Sequence, residues 1–221
     1  MSPWLRRLRE DDRGTSLPEL LAGMAVMGVF MTIFTGAVVS MARTTTQIEA
    51  VTSSTAQVNN AFLQLDEQVR YADAITTVGP ATGTSGDSYV ELSSVNSATS
   101  VETCTQLRVD IGTQKLQRRT WVATSATAYA ALSPWTTLAS FVLPRDADGV
   151  AYQPFAAPPP PGGAVTTTFQ RLTITLVAGT SGPGSTSTTR TNMTFTALNS
   201  DASDPTNEVK CQQLPAAVRR P

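Results

Sequence analysis

The sequence predicts an α+β chain: one long N-terminal helix, membrane-length in its first half and amphipathic in its second, packed on an antiparallel β-sheet head. Three observations predict it. Residues 20–42 carry no charge. Beyond them, apolar residues recur every three or four positions as far as Ile75. After Pro80 the period shortens to two, and Gly, Pro, Ser and Thr punctuate the chain. A helical period followed by strand periods reads as a helix laid against a sheet.

Residues 1–14 carry Arg6, Arg7, Arg9 and Arg13, with Glu10, Asp11 and Asp12 among them, and end at Gly14. Basic charge before an apolar segment holds that end in the cytoplasm. Glu19 is then the lone carboxylate at the mouth of the apolar run. An acid costs about 2.5–3.5 kcal/mol at mid-bilayer, so it is there to meet a partner, or else it lies unpaired at the polar interface. As a helix, residues 20–42 span about 35 Å, enough to cross a bilayer. Ala22, Gly23, Ala25, Gly28, Gly36 and Ala37 allow close approach of another helix. Pro18 falls in the first turn, where a missing N–H costs little, or else it kinks or breaks the segment.

From Arg43 the helix turns amphipathic. Ile48, Val51, Val58, Phe62, Leu65, Val69 and Ile75 form a stripe with a gap across Thr55, while Asp66, Glu67, Arg70 and Asp73 lie largely off it. The helix is expected to run to about Ala74 and to end near Gly79-Pro80. The stripe is too short and irregular for sustained heptads.

The head then reads as strands and loops. Residues 81–87 form a Gly/Ser/Thr turn region, 89–92 a short strand, and 106–111 and 115–122 a hairpin about Gly112-Thr113-Gln114. An apolar run covers 135–143, a turn 146–149 and a strand 150–155. Pro158 to Gly163 is a surface loop. Residues 168–177 alternate cleanly through Phe169, Leu172, Ile174 and Leu176, and 191–198 return with Met193, Phe195 and Ala197 on one face. Residues 179–190 read as a disordered loop, and 199–221 as an irregular segment pinned only if Cys211 is bonded. The organisation is therefore a basic stretch over 1–14, a hydrophobic membrane-length helix over 15–43, an amphipathic helix over 44–78 and a head over 79–221.

Composition narrows the chemistry. The chain has no histidine and a formal charge of -1. That removes imidazole triads and the common zinc sites, and gives no pull toward nucleic acid. Cys104 and Cys211, 107 positions apart, read as a disulfide if the head is exported, or as two buried thiols. Asp146 and Asp148 beside Gly149 lack a full calcium-loop pattern and read as a solvated turn. Trp121, Tyr129, Trp135 and Tyr152 read as core or edge aromatics, and Arg118-Arg119 and Arg219-Arg220 as solvated pairs.

The run Gly14-Thr15-Ser16-Leu17-Pro18-Glu19, followed by the apolar helix, resembles the N-terminus of type IV prepilins and type II pseudopilins. The likeness covers residues 5–45. Thr15 stands where the family usually has phenylalanine, and Pro18 where it often has isoleucine or leucine. Beyond residue 45, residues 116–120, 171–176 and 195–199 look like the PilW-like minor pilins or J-type minor pseudopilins, which carry large β-rich heads.

The resemblance implies cleavage between Gly14 and Thr15 by prepilin peptidase, N-methylation of Thr15 and an assembly role for Glu19. It makes 1–14 a leader peptide and 15–43 an assembly helix, and it implies a minor structural subunit. The residues themselves, with no histidine, no nucleophile motif, no metal cluster and no dense basic patch, point to no enzyme, no cofactor, no metal and no specific nucleic-acid partner. The subunit's partners would be other pilin or pseudopilin subunits, the peptidase and the assembly platform. The precursor would sit in the cytoplasmic membrane with its head outside, and then enter a filament. The competing expectation is a signal-anchored extracytoplasmic binding or adhesion protein.

Overall fold

A computed structural model describes residues 16–76, 79–80, 86–125, 128–130, 132–146, 148–157, 168–182, 185–204, 206–207 and 210–220. Residues 1–14, expected as a leader, the Gly14-Thr15 junction, residues 81–85 and Pro158 to Gly163 lie outside them.

Helix α1 is Leu17–Arg70, 54 residues. It starts where the Ser16 carbonyl accepts the Glu19 and Leu20 amides at 2.9 and 3.2 Å. Pro18 needs no partner there. The helix stops four residues short of Ala74. Ala72 N turns back to Val69 O at 3.1 Å, and Asp73 N instead donates to Ser93 O at 2.8 Å. Sheet pairing takes the chain from that point, so Ile75, expected in the helical stripe but six positions past Val69 and off its face, lies in strand β1 (Ala74–Ile75). The orphan carbonyl of Arg70 accepts Leu198 N at 2.9 Å.

The remaining described strands are β2 (Gly79–Pro80), β3 (Ser88–Asn96), β4 (Val101–Asp110), β5 (Lys115–Ser125), β6 (Ala128–Tyr129), β7 (Thr136–Ser140), β8 (Phe155–Ala156), β9 (Arg171–Gly182) and β10 (Ser185–Thr196). A short helix, α2 (Ala216–Arg219), follows. Among the described residues they form two antiparallel sheets. One is a seven-stranded sheet ordered β1-β3-β4-β5-β6, with β2 also on β3 and β7 also on β5. The other is β10-β9-β8.

The hairpin about Gly112 is present. Its left-handed residue is Gln114 (φ 55), and Asp110 Oδ1 accepts Thr113 N at 2.9 Å. Of the expected 179–190 loop, residues 179–182 and 185–190 are instead strand, and 183–184 lie outside the described residues. Register runs unbroken from Arg171↔Thr196 to Gly182↔Ser185. β-branched residues such as Thr188, Thr189 and Thr191 favour a pleated strand, which suits extension of the ladder begun at Leu172 to Leu176. The 135–143 run yields only the short β7, which ends before Phe141 at φ 60. Of 150–155, only Phe155 is in a named strand, while Ala151 bridges Arg145.

The core joins one face of each sheet to the second half of α1. Val58, Ala61, Phe62, Leu65 and Val69 pack with Val90, Leu92, Leu107, Val109 and Leu116 of the larger sheet and with Leu172, Ile174, Leu176 and Phe195 of the smaller. Phe62 and Phe195 meet at 6.0 Å between ring centroids. The gap in the apolar stripe is filled by buried Ser54, whose hydroxyl donates to Ser140 O at 3.1 Å. Gln57 Oε1 accepts Ser140 N at 2.9 Å, so two helix side chains hold the end of β7.

Candidate functional site

The first candidate surface is the start of α1. Residues 17–46 are all exposed within the single chain, and Leu20, Met24, Met27, Phe30, Ile33 and Phe34 are among the large apolar residues that lack cover. This helix is long and apolar enough to cross a membrane. Several of its hydroxyls are satisfied locally: Thr32 Oγ1 donates to Gly28 O at 2.8 Å, and Thr44 and Thr45 donate to the carbonyls four residues back at 3.0 Å. Such back-bonding lets polar side chains sit in an apolar medium without a stranded donor. A Cβ added at Gly23, Gly28 or Gly36 would meet no atom within 4 Å, so packing inside this chain does not require these glycines. Glu19 is exposed in the first turn, where the partial positive charge of a helix N-terminus favours a carboxylate.

The second constellation lies on the far face of the larger sheet. Strand alternation puts Glu91, Gln106 and Arg119 in one transverse row, since Glu91 pairs with Gln106 and Gln106 with Arg119 in register. Ser93, Cys104 and Trp121 form the next row. The C-terminal segment covers both. Cys104 and Cys211 are joined in a disulfide. Trp121 Nε1 donates to Gln213 Oε1 at 3.4 Å. Arg119 donates to the carbonyls of Val218 and Arg219 at 2.7 and 3.0 Å, and Gln106 Nε2 to that of Arg219 at 2.7 Å.

Arg220 closes the set. Its Nε and an Nη lie 3.0 and 2.5 Å from the two oxygens of Glu91, which also accept Gln106 Nε2 at 2.7 Å and Thr76 Oγ1 at 3.0 Å. Glu91 is 2 % exposed. The expected solvation of the arginine pairs is therefore corrected: Arg119 and Arg220 are buried, because carboxylate and carbonyl acceptors across the strands take their donors. The C-terminal segment is also pinned by more than Cys211. Burial lowers the Arg119 guanidinium, helped by the repulsion of Arg108 and opposed by Tyr89 and Glu91. Trp135 has the guanidinium carbons of both Arg108 and Arg119 at 4.3 Å from its ring centroid. Burial also raises the Asp87 carboxyl, with nearby Asp110 adding to it, against the Ile111 amide and Arg108.

The other sequence candidates settle as structure. Glu102 lies with the two cysteines, but the sulfurs are bonded to each other and offer no thiolate to a metal. Asp146 Oδ1 accepts the amides of Asp148 and Val150 at 3.1 and 2.9 Å and so closes its own turn, with Gly149 at φ +76; Ala147 lies outside the described residues. Trp121 is buried and Tyr129 exposed. Tyr152 donates to Leu143 O at 2.7 Å and accepts Val177 N at 3.1 Å, and burial raises its phenol.

No family model, no curated protein and no solved structure matches the chain. A long apolar N-terminal helix whose second half packs on antiparallel sheets, with a disulfide to the C-terminal segment, is a pilin-like architecture. The disulfide fits a head in an oxidising, extracytoplasmic compartment.

Proposed function

We propose that this protein is a minor pilin or pseudopilin: a structural, non-enzymatic subunit of a type IV pilus or a related envelope-spanning filament. One observation carries the reading. Glu19 is a single acid in the first turn of a helix whose next 23 residues are uncharged and uncovered within the chain. In lipid the carboxylate costs about 2.5–3.5 kcal/mol toward the bilayer centre, and a cationic partner removes that cost. Cleavage between Gly14 and Thr15 would create such a partner, the α-amine of Thr15 on a neighbouring subunit, which is the residue then methylated. Glycine suits the cut because it leaves the extended backbone unobstructed. The pairing acts as a register device more than as a source of net stability. A large head with Pro- and Gly-rich segments fits a tip or initiating subunit better than one repeated along a tightly packed fibre.

The test is Glu19→Ala beside Glu19→Asp, with purified filaments quantified by mass spectrometry. Insertion and cleavage stay intact, incorporation of the alanine variant falls, and the aspartate variant recovers part of it. Incorporation of Glu19→Ala at the wild-type level contradicts the proposal.

A further inference from the structure

The C-terminal segment has its own small core. Cys104, Trp121, Cys211 and Leu214, with Leu132 against them, form a cluster separate from the main one that α1 and both sheets share. Both bonded cysteines are fully buried, and Gln213 Oε1 lies 3.9 Å from Cys104 Sγ. Beyond Cys211, side-chain bonds tie residues 213–220 to the two transverse rows: Trp121 to Gln213, Gln106 and Arg119 to the C-terminal end of α2, and Glu91 to Arg220. None of these residues belongs to the main core cluster.

We propose that residues 212–220 are a strap that shields the disulfide from reducing thiols, with the Glu91–Arg220 pair as its latch. Reduction needs a thiolate to approach one sulfur along the S–S axis. With the strap closed, that approach is blocked. With it open, a dithiol reductant attacks one sulfur, the S–S bond breaks and a mixed disulfide forms. The reductant's second thiol then releases the protein sulfur. Two electrons and two protons pass to Cys104 and Cys211, and the reductant leaves as its own cyclic disulfide. The rate is therefore the population of the open strap times the intrinsic exchange rate. The arrangement lets the head form its bond in an oxidising compartment and keep it when thiols are present.

The experiment uses the oxidised full chain in detergent, dithiothreitol as reductant, and alkylation followed by intact mass as the clock. Arg220→Ala and Glu91→Gln are expected to speed reduction by about tenfold or more while circular dichroism of the folded head is unchanged, with Arg220→Lys falling between. Folded variants reduced at the wild-type rate overturn the proposal. If the variants do not fold, the wild-type protein still decides. Its reduction rate should rise with urea much less steeply than global unfolding does, because opening a strap exposes little surface. A rate that follows the global unfolding slope overturns the proposal.

Discussion

The two halves of α1 differ in one respect that sets their roles. Residues 47–70 bury Ser54, Val58, Ala61, Phe62, Leu65 and Val69 and turn Glu49, Glu67 and Arg70 outward. Residues 17–46 are more apolar and bury nothing within the chain. Apolar surface left in water is unfavourable at roughly 25 cal/mol per Å², so the first half must find its cover elsewhere, in lipid or against other helices. One continuous helix therefore has a covered half and, among the described residues, an uncovered one, and its early acid Glu19 belongs to the uncovered half.

Mutations in the two halves should give opposite phenotypes. Phe62→Ala removes a ring fully inside the core and should cost the head about 3–5 kcal/mol in urea unfolding, with membrane association unchanged. Loss of membrane association in that variant would break the contrast. Phe30→Arg does the reverse. It adds about 2.5–3.5 kcal/mol to bilayer insertion, read by carbonate extraction, and leaves the head's unfolding midpoint in place. A shifted midpoint would mean that the first half has cover within the chain after all. Ser54→Ala tests the helix–β7 clamp and should cost about 1 kcal/mol, seen as faster hydrogen exchange at the Ser140 end of β7.

The smallest effect is in acid. Hydrogen bonds from the Ser203 hydroxyl and amide hold the Asp201 carboxyl below the ordinary carboxylate range, and those from Thr206 do the same for Asp204. Their contribution is present above the unfolded value and is lost as pH falls through the lower folded one. Asp87, raised by burial, has the opposite sign: its contribution is complete at low pH and is lost as pH rises through its folded value. Protection factors at the Ser203 and Thr206 amides, corrected for the intrinsic exchange rate at each pH, should therefore fall below about pH 4, while those of β3–β4 pairing near Asp87 hold.

The first half of α1 was legible because a charge-free run of membrane length has few other readings. The second half was legible as a stripe, but not its end, which is set by pairing of Ala74 and Ile75 with β3. The Lys115 hairpin and the Leu172–Leu176 strand announced themselves by alternation. The threonine-rich stretch beyond Gly179 did not, because Gly and Ser suggest a loop until a partner strand of equal length is in place. Glu91, Gln106, Arg119 and Arg220 were invisible as a set. Arg220 and Glu91 are 129 positions apart, and isolated charges usually face water. The one available signal was polar residues at alternating strand positions, 91, 106 and 119, which also fits an open face.

The central claim is that the exposed apolar half of α1, headed by Glu19, is an assembly surface freed by cleavage at Gly14. Intact-mass analysis of the protein from purified filaments tests it most directly. The account predicts a chain starting at Thr15 with one added methyl group. A chain still beginning at Met1, or one cut after residue 42, contradicts it and leaves a signal-anchored or secreted head.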